Sequence, residues 1–229
     1  MVAVTMTPRG TAALTAYLVV AVTNVGSLAL GIDTLANVTQ WLLMPLLLAA
    51  FLVTPPAASH PLPRLSALTI AALAFSWLGD AAPDLTSGDA SFLAMVGAFF
   101  VAQLCYIGAF RSSWRRSLAS RSPALVLPYA VAFVVLVLAC APNAGPLLAP
   151  VVAYGLAVTV MAVLSTGLNR AAALGGALFM VSDSLIALGA FRDWGGRPLS
   201  VAIMATYAVA QLLLVVGIQA YRRNQSSPG

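Results

Sequence analysis

The chain has 229 residues, of which 61% are hydrophobic and only 7% charged, against roughly 25% charged residues in an ordinary soluble domain. That composition excludes a water-soluble globular fold and leaves, at about 20 apolar residues per crossing, space for up to about eight membrane spans joined by short loops. The net charge of +5 comes from eleven Arg and six Asp, with neither Lys nor Glu; in membrane loops such cations report orientation, and no basic patch interleaved with aromatics points to nucleic acid.

Apolar runs broken at clusters of Pro, Gly, Arg and Asp predict eight spans, at approximately 11–31, 35–54, 65–83, 91–110, 124–141, 147–166, 171–191 and 199–220. The predicted fold is an all-α polytopic helix bundle forming one integral membrane domain over 1–229. The first run follows a single basic residue, Arg9, and extends beyond the length of a signal-peptide core, so it reads as a span and not as a cleaved leader. Sorting cations by loop puts Arg9, Arg64, Arg111, Arg115, Arg116, Arg121, Arg170, Arg222 and Arg223 on one side and only Arg192 and Arg197 on the other. Cytoplasmic loops carry the Lys/Arg excess, so a multi-pass cell-membrane protein with both termini in the cytoplasm is expected. Asp33, Asp84, Asp89 and Asp193 fall on the Arg-poor side.

A faint parallel repeat of four plus four spans runs through the chain: "ALAFSWLGDAA" in the third span is similar to "GALFMVSDSLIA" in the seventh, and "VAQL" occurs at 101–104 and 209–212. The repeat sets Asp80 and Asp183 at equivalent places.

Those two acids fall inside spans, where a carboxylate is costly and marks a functional position by default. The competing role for each is a helix cap or an ion-pair partner. Helical spacing puts Ser76 on the face of Asp80, while Ser182 and Ser184 flank Asp183. At about 1.5 Å rise per residue, Asp80 lies about 22 Å and Asp183 about 18 Å from the Arg-rich ends of their spans. Gln103 and Tyr106 share a face of the fourth span, as do Tyr207 and Gln211 of the eighth. These four are read either as interhelical hydrogen-bonding groups or as groups that position a substrate or a catalytic carboxylate. Asn24, Asn37, Gln40 and Tyr154 are weaker candidates of the same kind, and Pro45 and Pro150 read as kinks or helix starts.

Several chemistries have no residues to run on. There is no G-x-S-x-G elbow, Walker or Rossmann glycine pattern, or H-E-x-x-H. The single histidine, His60, stands between prolines in a loop, which excludes a His-rich zinc site, and Cys105 and Cys140 read as small buried apolar residues. Two acids in an apolar bundle suit general acid–base work, because burial disfavours ionisation and like charges close together cannot both ionise. One carboxyl then serves as proton donor and the other as anion, as in paired-carboxylate hydrolases, provided both face one cavity.

The segments "LLMPLLL" (42–48), "AFSWLGDAAPDL" (74–85), "FFVAQLCYIGAF" (99–110), "AYGLAVTVM" (153–161), "GALFMVSDSLIAL" (176–188) and "TYAVAQLLL" (206–214) occur in an order that resembles the lysoplasmalogenases, the YhhN-like membrane proteins. The resemblance implies a multi-pass hydrolase cleaving the vinyl ether bond of lysoplasmalogens to a fatty aldehyde and glycerophosphoethanolamine or glycerophosphocholine. It places Asp80 and Asp183 at the family's acidic positions and Tyr106, Tyr207 and Gln211 at its polar ones. The chain departs from the family at Gln103, where His is frequent, and lacks the basic residue often found before "P-L" near the second span.

Reading and resemblance meet in one expectation. Asp80 and Asp183 act as the catalytic pair, with Asp183 favoured as the acid; Tyr106, Gln103, Tyr207, Gln211, Ser182, Ser184 and Asn24 contact a membrane lipid substrate; no metal or organic cofactor is needed. The rival readings are a proton-coupled transporter of a small or lipid-like substrate, a non-catalytic lipid-binding scaffold, and a hydrolase of a related lipid ether or epoxide.

Overall fold

The computed structural model describes residues 8–54, 62–85, 87–192 and 194–224. Every element among them is helical. Four long helices come first: α1 (Pro8–Leu30), α2 (Asp33–Leu52), α3 (Pro63–Leu85) and α4 (Gly88–Phe110). Short 3-10 turns and the single-turn α5 (Leu118–Arg121) lead to α6 (Leu127–Ala144), α7 (Leu148–Ser165), α8 (Arg170–Phe191) and α9 (Arg197–Asn224).

Seven helical stretches are long and apolar enough to cross a membrane, against the eight spans expected. The difference lies at Pro123–Ser165, a stretch of 43 residues that as one straight helix would run about 65 Å, twice the hydrocarbon thickness. It is interrupted where Gly145 takes a φ of 48° and Pro146 follows, a conformation that ends a helix. On either side, α6 and α7 fold back and pack on one another. Their bounds match the expected spans at 124–141 and 147–166 to within a few residues.

The densest packing joins α3 to α4, α8 to α9 and α1 to α2. Without a hydrophobic drive in lipid, such contacts depend on close backbone approach at small residues and on buried hydrogen bonds. Around α8 both are present. A methyl group added to Gly175 would stand 2.8 Å from the backbone nitrogen of Leu214, and one on Gly176 would run into Ser165 Oγ. Asn169 caps α8 by accepting from the Ala172 N–H at 3.0 Å and donates to the Gly217 carbonyl of α9 at 2.7 Å.

One apolar core runs through the bundle, with Tyr17, Leu43, Leu47, Phe51, Leu73, Phe110, Phe179 and Leu214 at its centre. A second, smaller cluster of Cys140, Ala144, Val151 and Phe191 holds the far end of α6. Elsewhere α6 shows its apolar side chains to the outside, which in a membrane protein means to lipid.

Candidate active site

Asp80 and Asp183 are both buried, at 4% and 9% exposure. From the observed helix starts they lie about 26 Å and about 20 Å along their axes, within one to two turns of each other in depth.

Each carboxyl receives a hydrogen bond from a tyrosine of another helix. Tyr207 of α9 donates its hydroxyl to Asp80 Oδ2 at 2.9 Å, and Tyr154 of α7 donates to Asp183 Oδ2 at 2.6 Å. Neither acid caps its helix; both lie a turn or more before the helix end. A phenol satisfies one carboxyl oxygen in a region where an unsatisfied polar group is expensive.

Below Asp80 the polar chain continues one turn toward the Arg-rich ends. Tyr106 donates to Gln211 Oε1 at 2.8 Å, and Gln211 Nε2 donates to Ser76 Oγ at 3.0 Å. Ser76 and Asp80 on α3 thus face Gln211 and Tyr207 on α9 as two parallel rungs, the i, i+4 spacing of each helix setting their separation. Gln40 of α2 adds a donor to the Asp80 main-chain carbonyl at 3.3 Å.

Gln103 is wholly buried, and neither atom of its amide closes a hydrogen bond. It nevertheless lies beside the Tyr154 hydroxyl, close enough to interact with it, and Tyr154 in turn is within electrostatic reach of Asp80. Tyr154 thus interacts with both carboxyls, directly with Asp183 and at longer range with Asp80, and the Gln103 amide of α4 lies beside it. An aromatic wall completes the site: Phe99, Phe179 and Tyr207 meet edge to face with centroids 5.7–6.4 Å apart. Phe99 occupies the space that a side chain at Gly79 would need, so the residue before Asp80 has to be small.

A cavity of about 40 Å³ opens on Asp183, walled by Tyr154, Phe92, Phe133, Val158, Met180 and Ser184 among others. That is room for a water molecule. Asp80 is not part of its wall, so among the described residues this cavity does not meet the requirement that both acids face one cavity.

The other expected contact residues are placed differently. Ser184 lines the cavity but donates to the Met180 carbonyl of its own helix at 2.7 Å. Ser182 points the other way and donates to the Ile203 carbonyl of α9 at 3.1 Å. Asn24 joins α1 to α2, donating to the Ala36 carbonyl at 2.7 Å and to Thr39 Oγ1 at 3.0 Å. Its bonds serve packing of the first hairpin. No group of three or more His, Cys, Asp or Glu that could hold a metal ion occurs among the described residues; His60 lies outside them.

The sequence model of the YhhN family matches residues 35–218, which takes in both aspartates and both tyrosine partners. The chain belongs to the YhhN family. Curated relatives named lysoplasmalogenase occur in Mycobacterium bovis and Mycobacterium tuberculosis, each 33% identical over 174 residues, covering 73% of this chain. The match spans 66% of the length of those relatives. No solved structure matches the chain. For a YhhN-family protein the part of the site least visible in the sequence is Tyr154, an isolated phenol in an apolar helix whose pairing with Asp183 depends on how α7 packs against α8.

Proposed function

We propose that this YhhN-family protein hydrolyses the vinyl ether bond of lysoplasmalogens, releasing a fatty aldehyde and glycerophosphocholine or glycerophosphoethanolamine. The observation that carries the reading is the pair of buried carboxyls, each anchored by a tyrosine hydroxyl, in a chain similar to proteins named lysoplasmalogenase.

The chemistry needs a proton donor at carbon and an anion nearby. Protonated Asp183 gives its proton to the β-carbon of the alkenyl chain, converting R–CH=CH–O–R′ to the oxocarbenium ion R–CH2–CH=O⁺–R′. A water in the cavity at Asp183 adds to the cationic carbon and gives its proton to the Asp183 carboxylate, restoring the acid and leaving a hemiacetal whose hydroxyl proton passes to the ether oxygen as it collapses to R–CH2–CHO and HO–R′. Asp80, outside the wall of that cavity, is the second carboxyl of the pair and acts on the developing positive charge at longer range, by way of its interaction with Tyr154. Tyr154 and Tyr207 fix the carboxyls, and Gln103, Tyr106 and Gln211 support them; no metal or organic cofactor enters these steps.

We further propose eight crossings in a cell membrane, α6 and α7 each forming one, with both termini on the cytoplasmic side.

The test offers the purified protein three lysophosphocholines that differ only at the first chain bond: vinyl ether, saturated ether and ester. Aldehyde from the vinyl ether and no product from the other two is the expected result. Equal release of fatty acid from the ester, or no product from any of the three alongside gradient-driven uptake into vesicles, would replace the proposal with an esterase or a carrier.

A further inference from the structure

Two side chains of α8 separate the cavity at Asp183 from the outer face of the bundle. Met180 and Ser184, one helical turn apart on α8, wall it on the inside and also wall a groove of about 300 Å³ between α6 and α8 on the outside. The groove's other sides include Tyr129 and Ala132 from α6 and Ala177 and Val181 from α8. All the α8 residues of the groove except Ser184 and Leu185 precede Asp183, so the groove runs from the carboxyl toward the Arg-rich ends of the helices.

Helix α6 is suited to lie over a site that opens sideways. Its buried residues are Cys140 and Ala144, both in its last turns, where Asn143 donates to the Phe191 carbonyl at 2.7 Å and Phe92 meets Phe191 edge to face. The opposite half of α6, which covers the groove, has no fully buried residue, although Phe133 there packs against Gly155 of α7. A helix buried more deeply at one end than at the other separates from its neighbour more easily at the shallower end.

We propose that the groove between α6 and α8 holds the hydrocarbon chain of a single-chain amphiphile taken sideways from the bilayer, its first carbons crossing Met180 and Ser184 to reach Asp183. A chain already in lipid is transferred from one apolar environment to another, so this route needs no passage through water. The polarity follows from the geometry. With the chain running toward the Arg-rich ends, the polar head group is directed to the opposite face, which Asp183 approaches to about 12 Å, eight residues before the end of α8. The inference rests on the hydrolase reading only for which bond is broken; the chain site itself requires no catalysis.

The test measures equilibrium binding of radiolabelled 1-O-hexadecyl lysophosphocholine, a saturated ether without the reactive double bond, to purified protein in micelles. Ala132 is exposed in the groove wall, so Ala132→Trp fills the groove without loading the core. Val22, 72% exposed on α1, supplies the control Val22→Trp. Wild type and Val22→Trp are expected to bind saturably with equal affinity, and Ala132→Trp at least tenfold more weakly, with a smaller loss for the octyl ether. Met180→Trp, at the junction of groove and cavity, should lose affinity for both chain lengths. Unchanged affinity in Ala132→Trp, or an equal loss in Val22→Trp, would overturn the groove as the chain site. The same variants are assayed for aldehyde release from the vinyl ether. Binding lost in Ala132→Trp with no aldehyde even from wild type supports the chain site and removes the hydrolase, whereas wild-type aldehyde release and affinity in Ala132→Trp removes the chain site and leaves the hydrolase.

Discussion

A carboxyl placed inside an apolar bundle keeps its position only where neighbouring groups hydrogen-bond to it, and at both such positions of this chain the neighbour is a tyrosine from another helix. Tyr154→Phe and Tyr207→Phe each remove that bond and leave a buried acceptor unsatisfied, with an expected loss of about 1–3 kcal/mol in stability, read as a lower thermal unfolding midpoint in detergent. Both should also slow vinyl ether cleavage, because the carboxyl is no longer fixed. The acids and three of the polar groups around them, Tyr106, Tyr207 and Gln211, were legible in the sequence for a physical reason: a polar side chain in an apolar run is expensive and stands out. Tyr154 was legible only as a weaker candidate beside Asn24, Asn37 and Gln40, since a lone phenol with an apolar body is ordinary in a membrane helix. The serines beside Asp183 misled in part, because flanking it in sequence sends Ser182 to α9 and only Ser184 to the cavity. Asn24 carries the same signal as Gln211 yet serves the α1–α2 hairpin; polarity alone does not say which neighbour it meets.

At the scale of elements, α8 bears the catalytic candidate and is gripped closely at Gly175 and Gly176. Gly175→Leu drives a side chain into the backbone of α9, and overpacking of this kind costs about 1–3 kcal/mol or more; loss of folded protein on size exclusion is the expected outcome. Asn169→Ala removes an N-cap worth about 1 kcal/mol together with the bond to Gly217, and a thermal melt should register the loss while the aspartate geometry stays intact. Apolar run lengths made the helices legible to within a few residues. They could not show that α6 buries side chains fully only in its last turns, because that depends on which faces of α7 and α8 it meets. The polar wiring also departs from the four-plus-four pattern of the sequence: Asp80 is held from α9 and Asp183 from α7, where a strict repeat would use corresponding helices.

For the molecule as a whole, the Arg distribution and the break at Gly145 make a joint prediction about topology. If α6 and α7 each cross, reporter fusions at the C-terminus and in the Arg111–Arg121 segment should report the cytoplasm, and a fusion after Phe191 the opposite side; a C-terminus opposite to the Arg111–Arg121 segment would mean that the pair does not cross twice. Protonation of a vinyl ether by these two buried carboxyls, and their handling of the resulting cation, are tested by the aldehyde released from an alkenyl lysophosphocholine by wild type, Asp80→Asn and Asp183→Asn in heavy water. Wild type is expected to give aldehyde carrying one deuterium beside the carbonyl, and each variant a fall of about a hundredfold or more with unfolding midpoint and helicity retained. Aldehyde release at the wild-type rate from both folded variants would contradict the paired-carboxyl mechanism.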